Sequence, residues 1–185
     1  AYYARSGGGV TFSGGEPLGQ PAFLLEVARR CKANGLHVAV ETCGAGDSAA
    51  FAPVVPLVDL FFFDLKHADP ERHRELTGVS NAGILANLRH IDAHAREMLI
   101  RIPLIPSVND GDDNLIALAG IAASLRSADK VELMPYHALG AATYATLGRE
   151  YPLGDVPPPS AGARERSPDL MNEVRAPTGK TRFFV

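Results

Sequence analysis

The sequence predicts an α/β fold, a partial (β/α)6 TIM-like barrel of parallel strands. Short, continuous apolar runs alternate along the chain with segments that repeat apolar residues every three or four positions. The runs lack the alternation of a half-exposed antiparallel sheet, so we expect parallel strands that are covered on both faces. The 185 residues suffice for one domain with a substantial core.

Five strands are predicted with their helices between them. The first lies at 10–12, and the others are expected at 36–40, 57–63, 98–102 and 130–134. Apolar periodicity predicts helices at 20–34, 81–95 and 112–126. A further helix at 47–57 is expected to be short or broken, because it contains Pro53 and Pro56.

The last part of the chain has a weaker pattern. We expect the barrel to extend over residues 1–158 and a C-terminal tail to occupy residues 159–185. The tail predicts a poor helix at 160–175, interrupted by Pro168, and a terminal strand at 182–185.

Composition and charge exclude several classes of function. The net charge of -3 gives no reason to expect a nucleic acid or a membrane surface as partner. Because no apolar run approaches the length of a spanning helix and no signal-peptide pattern is present, we expect a cytoplasmic protein. Cys31 is predicted to be a core residue, Cys43 a buried structural thiol, and His67 and His73 surface residues.

A turn of two glycines and a carboxylate follows the first strand, at Gly14, Gly15 and Glu16. Paired glycines leave the backbone bare, so a ligand can contact its carbonyls and amides directly. The glycine spacing differs from that of phosphate-binding loops, and a carboxylate beside the amides would repel an anion. The turn therefore predicts binding of a cationic group such as an ammonium.

Polar side chains recur where successive predicted strands end. They are Glu16, Glu41, Thr42, Asp64, Lys66 and His137, with Arg101 inside the fourth strand. Taken singly, each carboxylate is more readily a helix-start or turn residue. In a parallel barrel, however, these ends share the face on which barrel enzymes place their sites. Acids for an ammonium and Lys66 or Arg101 for a carboxylate predict a zwitterionic ligand.

The ordered set of motifs resembles the radical S-adenosylmethionine (SAM) superfamily. More closely, it resembles the glycyl-radical-enzyme activating enzymes typified by pyruvate formate-lyase activating enzyme. The likeness covers the chain to about residue 158, through residues 6–17, 41–44, 64–66, 78–81, 100–106, 109–110 and 133–137. The Gly-Gly-Glu turn alone is moderately specific, and the ordered set at these spacings is highly specific.

The resemblance implies a reaction, its cofactors and its partners. An electron from a [4Fe-4S] cluster would cleave SAM to methionine and a 5′-deoxyadenosyl radical, which takes a hydrogen from a backbone glycine of a large glycyl radical enzyme. A flavodoxin or a ferredoxin-type protein would donate the electron. We expect the activating enzyme itself to be a monomer.

The resemblance also implies roles for the strand-end residues. Gly14, Gly15 and Glu16 would hold the amino group of SAM, and the rest of its pocket would be lined by Thr42, Asp64, Lys66, Arg101 and His137. Glu41, Thr42 and Asp64 would also hold a monovalent cation near the SAM carboxylate. The loop from Lys66 to Asn81 would shape the entrance for the partner's glycine loop.

The sequence departs from the family in its cysteines. The motif CxxxCxxC, whose thiolates bind the cluster, does not occur in it. Because that motif precedes the Gly-Gly-Glu turn in the family, we expect an N-terminally truncated chain without the first strand and the cluster loop. Radical chemistry should then be absent from this chain, and its first strand would be an unpaired edge.

Two other functions remain open from the residues. Glu16, Glu41 and Asp64 could bind Mg²⁺ in a barrel lyase or isomerase, with Lys66 as the base. The chain could also be a non-catalytic module that binds SAM weakly or docks on a glycyl radical enzyme. The Mg²⁺ hypothesis does not explain the paired glycines or the Pro-Tyr-His segment at 135–137.

Overall fold

The computed structural model describes residue 3, residues 6–174 and residues 182–185. Six strands form one sheet in chain order: β1 (Gly9–Phe12), β2 (His37–Thr42), β3 (Leu60–Asp64), β4 (Glu97–Leu104), β5 (Lys130–Pro135) and β6 (Arg182–Phe184). All neighbouring strands are parallel. The sheet is open, with β1 and β6 at its edges, and the predicted partial barrel of parallel strands is confirmed.

Helices connect the strands. They span Pro21–Ala33, Ser48–Phe51, Pro70–Thr77, Ala82–His94, Asp112–Ala123, Ala141–Thr146 and Ala161–Asn172, with 3-10 turns at Pro17–Gly19, Val55–Leu57 and Ala138–Gly140. The segment predicted at 47–57 is indeed broken, into a four-residue helix and a 3-10 turn. Within the described residues, no helix reaches the length and apolarity that crossing a membrane requires.

The tail contributes to the same sheet. Its helix, Ala161–Asn172, contains Pro168, and β6 pairs in parallel with β5. The part of the predicted tail at 175–181 lies outside the described residues, as do residues 1, 2, 4 and 5 of the predicted barrel. The boundary at residue 158 stays a prediction.

The helix Pro70–Thr77 was not predicted. The Asp69 side chain caps its start by accepting a hydrogen bond from Arg72 N at 2.8 Å, and Gly78 ends it at φ +85°. Periodicity missed this helix because it is short and mostly polar. The prediction of a surface His73 is wrong as well: the side chain is buried, and its Nδ1 lies 2.7 Å from Val79 O.

The two faces of the sheet differ in burial. In β3 and β4 the side chains of Phe61, Phe63, Ile100 and Ile102 are fully buried, whereas alternate residues such as Arg101 are only half-buried. The expectation of two covered faces is therefore met only in part: one face is half-buried along β3 and β4, although Val38, Ala39 and Val40 of β2 are all buried. Alternate side chains of a strand point to opposite faces, so the half-buried set shares one face of the sheet.

Candidate functional site

The predicted site residues converge at the carboxyl end of the sheet. A cavity of about 110 Å³ is lined by Ser13, Gly14, Gly15, Glu16, Glu41, Thr42, Cys43, Asp64, Lys66 and Arg101. These residues come from the ends of β1, β2 and β3 and from within β4. Parallel pairing brings the strand ends together, since Asp64 stands directly beside Arg101 in the register. A cavity of this size holds part of a ligand rather than a whole nucleoside.

His137 lies apart from the other predicted residues. It follows β5, is exposed, and precedes the 3-10 turn Ala138–Gly140. The cavity lining formed by the described residues does not include it. Its contribution to a SAM pocket stays a prediction.

The Glu16 carboxylate joins the first two strand ends. Oε1 accepts hydrogen bonds from Leu18 N at 3.0 Å and from Thr42 Oγ1 at 2.7 Å. Oε2 accepts from Cys43 N at 2.8 Å and from Cys43 Sγ at 3.0 Å. A carboxylate offers about four lone-pair positions, so donors of the chain itself occupy all of them. Glu16 therefore connects the turn after β1 to the end of β2 and supplies a negative charge to the site.

A glycine is required just beyond β2. Gly44 has φ +75°, and a Cβ there would lie 2.4 Å from Cζ of Phe63. Its amide donates to Thr42 Oγ1 at 2.8 Å, while its carbonyl accepts from Asn87 Nδ2 at 2.8 Å. These contacts fix the turn that presents Thr42 to Glu16.

Arg101 is the charged centre of the site. Its Nε donates to Asp64 Oδ1 at 3.0 Å, and Nη1 lies 3.4 Å from Glu41 Oε1. The guanidinium stacks over Phe62 at 5.2 Å from the ring centroid. Ser13 Oγ donates to the other oxygen of Glu41 at 2.7 Å. One cation thus links the ends of β2 and β3 and stands between their carboxylates.

Burial shifts two pKa values at this site. It raises the pKa of Asp64 above the ordinary 3.8, and the nearby Arg101 guanidinium offsets this only in part. Burial also raises the pKa of the Cys43 thiol above 9.0, with a further contribution from the hydrogen bond to Glu16. Both shifts follow from the cost of holding negative charge on partly buried groups.

The two glycines of the turn have different reasons to be glycine. Gly14 has φ +113°, which strains any residue with a side chain. A Cβ on Gly15, by contrast, would meet nothing within 4 Å, and its φ lies outside the left-handed region. The protein's own packing therefore does not require glycine at position 15. A ligand that contacts the backbone at this position would require glycine there.

Sequence reasoning missed the residues that hold the strand-end loops. Asn109, buried beyond β4, donates from Nδ2 to Lys66 O at 2.9 Å and to Pro103 O at 2.6 Å. Asn81 donates to the carbonyls of His67 and Ala68. Both asparagines belong to the motifs noted above, but only their burial reveals their structural role. Cys43, predicted to be buried, is half-buried and lines the cavity.

The residues present fit SAM but not an iron-sulfur cluster. A cluster of this class needs three protein thiolates, and the sequence has two cysteines. Cys31 is buried on the helix Pro21–Ala33, as predicted, and Cys43 lies at the end of β2, so they cannot share a cluster. Among the described residues, no three His, Cys, Asp or Glu side chains form a metal-binding group.

A larger cavity, of about 530 Å³, lies beside the loop at 107–114. Its charged lining consists of Asp69, Asp110, Asp112 and Asp113, with His67. None of the residues predicted to bind SAM lines it, although His67, Ala68 and Asp69 of the predicted entrance loop do. One of its carboxylates, Asp112, is paired with Arg166 at 2.9 Å. We therefore place the candidate site at the smaller cavity, where both charge signs and the bare glycine turn meet.

Comparisons with known proteins show which family the chain resembles. The sequence profile of the radical SAM superfamily matches residues 1–119. The isethionate sulfite-lyase activating enzyme of Oleidesulfovibrio alaskensis is 43% identical over 157 residues, covering 84% of this chain and 50% of that enzyme. The pyruvate formate-lyase-activating enzyme of Clostridium pasteurianum is 35% identical over 173 residues, covering 94% and 72%.

A solved structure has the same fold. A domain of a pyruvate-formate lyase-activating enzyme from Bacteroides vulgatus superimposes with a TM-score of 0.76 at 30% identity, covering 96% of this chain and 99% of that one. The chain spans about half the length of the isethionate sulfite-lyase activating enzymes it matches.

Proposed function

Because this chain belongs to the radical SAM superfamily and, within it, to the glycyl-radical-enzyme activating enzymes, we propose that it binds SAM and serves to generate a glycyl radical on a partner enzyme. The cluster of such enzymes would supply the electron that cleaves SAM. This chain's residues do not fit a cluster, so we assign to them the binding of SAM and the presentation of the partner's glycine.

The charge pattern supports binding of the amino-acid end of SAM. The carbonyls of Gly14 and Gly15 are proposed to accept from the ammonium, since the Glu16 oxygens are already engaged and act by their charge. Lys66 lines the same cavity and is proposed to pair with the SAM carboxylate. Thr42 and Arg101 hold the carboxylates Glu16, Glu41 and Asp64 in place.

Gly15 carries this proposal. Its Cβ position points into open space, so folding does not require glycine there, and Gly15 lines the cavity together with the carboxylates. We propose that the ligand, which lies against this backbone, is what requires glycine. Backbone exposed next to negative charge suits an ammonium and repels a phosphate. The finer expectations, namely a monovalent cation at Glu41, Thr42 and Asp64, a flavodoxin- or ferredoxin-type donor and a monomeric state, stay predictions.

Titration calorimetry with SAM tests the proposal on a matched pair of variants. Gly15→Ala is expected to weaken SAM binding at least tenfold while leaving the unfolding free energy within about 0.5 kcal/mol. Gly120→Ala makes the same change in the helix Asp112–Ala123, where a Cβ also meets nothing within 4 Å. It should leave SAM binding unchanged.

Three results would count against SAM binding at this turn. They are no heat of binding with SAM, equal affinity of the two variants, and saturable binding of Mg²⁺ with no response to SAM. The last would favour the barrel lyase or isomerase, although Arg101 already stands between the carboxylates that Mg²⁺ would need. Binding of SAM by the wild type together with loss in Gly15→Ala alone supports the proposal.

A further inference from the structure

The segment that presents Lys66 to the candidate site has no regular secondary structure. It comprises residues 65–68, directly after β3. Its first residue is still joined to the sheet, since Leu65 N donates to Arg101 O at 2.9 Å. A lysine side chain is a flexible four-carbon stem, so the part of Lys66 that the fold can fix is its backbone.

Two asparagine side chains hold the far end of this segment. Asn81 Nδ2 donates to His67 O at 3.0 Å and to Ala68 O at 2.7 Å. Asn114 Oδ1 accepts from Ala68 N at 2.9 Å, and its Nδ2 donates to Asn109 O at 2.7 Å. The first asparagine stands just before one helix and the second lies within another. Side chains from two later elements therefore satisfy main-chain groups that a strand or a helix would otherwise pair.

Asn109 holds Lys66 itself. The asparagine is 4% exposed, and its Nδ2 donates to Lys66 O at 2.9 Å and to Pro103 O at 2.6 Å. Its Oδ1 accepts from Ile105 N at 2.8 Å. These bonds require two donors and an acceptor on a short side chain, whereas an ionised aspartate has no donor and a serine has one. Asn109 therefore fixes the backbone of Lys66 relative to the end of β4.

Lys66 is the cation that the site leaves without an ion pair. Arg101 is engaged by Asp64 and Glu41. No ion pair among the described residues includes Lys66. Burial is the main cause of the raised pKa values of Asp64 and Cys43, and the charge of Lys66 opposes it in both. A cation that is fixed by its backbone and not by an ion pair is available to an anionic group of a ligand.

We propose that Asn109 is a positioning residue for ligand binding: through its hydrogen bond to the Lys66 carbonyl it sets where the Lys66 ammonium meets the carboxylate of the ligand. This rests on the proposed function, because that carboxylate belongs to SAM. Asn81 and Asn114 hold the same segment from its other end. The segment is ordered before SAM arrives, which lowers the cost of binding. Since the lysine stem compensates part of a backbone displacement, loss of Asn109 should cost less affinity than loss of the ammonium.

Two ligands separate positioning from general support of the fold. Decarboxylated SAM keeps the ammonium, the sulfonium and the adenosine but has no carboxylate for Lys66. By titration calorimetry, wild type should bind SAM about tenfold more tightly than decarboxylated SAM. Lys66→Met should remove this preference by weakening SAM about tenfold and decarboxylated SAM by less than about twofold.

Asn109→Ala should weaken SAM about fivefold and decarboxylated SAM by less than about twofold. In the Lys66→Met background it should not weaken SAM further, because the contact that it positions is gone. Asn87→Ala is the matched control: Asn87 is 6% exposed, and its Nδ2 donates to the carbonyls of Gly44 and Gly46 after β2. That turn supports the proposed ammonium site, which both ligands use, so any loss should be equal for the two.

The lysine NMR spectrum gives a readout that needs no SAM. The chain has four lysines, so reductive methylation with ¹³C-formaldehyde gives four lysine signals, of which Lys66→Arg identifies one. Asn109→Ala should move this signal towards those of exposed lysines, and Asn87→Ala should leave it in place. Asn114→Ala, at a half-buried position on the same segment, should move it in the same direction and replaces Asn109→Ala if that variant does not fold.

Four results would overturn the proposal. They are equal binding of the two ligands by wild type, equal losses for both in Asn109→Ala, additive losses in the double variant, and an unmoved Lys66 signal in the asparagine variants of this segment. The proposed function is judged by SAM and wild type alone. If SAM binds and Asn109→Ala neither discriminates the ligands nor moves the signal, only the inference fails. If SAM does not bind and the signal moves, Asn109 still positions Lys66 and only the proposed function fails.

Discussion

The two ends of the sheet each hold a partly buried charge cluster, and the clusters have opposite composition. At the amino end one carboxylate, Asp59, lies between two cations: it accepts from Lys32 Nζ at 2.7 and 2.8 Å and from Arg96 Nη1 at 3.0 Å. At the carboxyl end one cation, Arg101, lies between the carboxylates of Glu41 and Asp64. The first cluster therefore carries a net positive charge and the second a net negative charge.

The pKa values of the two aspartates follow this difference. Burial alone would raise the pKa of Asp59, but the hydrogen bonds from Lys32 and Val38 outweigh it and hold the pKa below 3.8. For Asp64 burial prevails over Arg101 and the pKa is raised. The amino end therefore stabilises the fold, while the carboxyl end keeps negative charge at a cost, as expected of a site for a cationic ligand.

Removing Arg101 should have the largest effect on stability. Arg101→Met leaves Glu41 and Asp64 without their shared cation, and the loss at pH 7 should be about 3 kcal/mol. Urea unfolding measures it, with Arg30→Met as control, because Arg30 pairs with Glu26 on the exposed helix surface. A loss no larger than that of the control would mean that Arg101 does not hold this end of the sheet together.

Asp59→Asn should cause the next largest loss in the free energy of unfolding, about 2 kcal/mol at pH 7, because Lys32 and Arg96 lose their acceptor. The contribution of Asp59 is present above the unfolded pKa of 3.8 and is lost as pH falls through the lower folded pKa. The difference between wild type and variant should therefore shrink below about pH 4. Urea midpoints across that range test it, with Glu26→Gln as the exposed control, and a difference independent of pH would contradict it.

Much of the fold could be predicted because local signals determine it. The strand runs, the amphipathic helices and the two prolines at 53 and 56 act within a few residues, and their elements are present. The helix Pro70–Thr77 was missed because its apolar content is low, although Asp69, Pro70 and Gly78 mark its ends. Burial of His73 depends on a carbonyl six residues away, which periodicity does not describe.

The residues of the candidate site could be predicted from the sequence better than the hydrogen bonds and ion pairs between them. Strand order alone brings Glu16, Glu41, Asp64 and Arg101 to one edge. The Glu16 carboxylate accepts hydrogen bonds from Leu18, Thr42 and Cys43. These contacts depend on side-chain directions at two turns, which the sequence does not specify. The same holds for Asn109, whose donors reach two different strand ends.

Asp64→Asn tests whether the charge clusters at the two ends of the sheet respond to pH in opposite ways. Since burial raises the pKa of Asp64, ionisation opposes folding there, and the variant should lose less than about 1 kcal/mol at pH 7. The native state binds this proton more tightly than the unfolded state. Wild type should therefore gain stability over the variant as pH falls through the raised pKa towards 3.8, opposite to the trend for Asp59→Asn. Parallel trends in urea unfolding would show that the two ends do not differ.

The smallest effect concerns the Cys43 thiol. Burial and the Glu16 carboxylate raise its pKa, so iodoacetamide should modify it slowly at pH 8, in a Cys31→Ala background that leaves one thiol. Glu16→Gln removes the negative charge, and the rate should rise several-fold. Loss of the Glu16 hydrogen bonds would also expose the thiol, and exposure by itself lowers the pKa because burial is its main cause. The high-pH plateau of the rate separates the two causes: loss of the charge alone moves the midpoint to lower pH at an unchanged plateau, whereas exposure raises the plateau as well. A raised plateau, or a midpoint that does not move, would contradict the electrostatic role of Glu16.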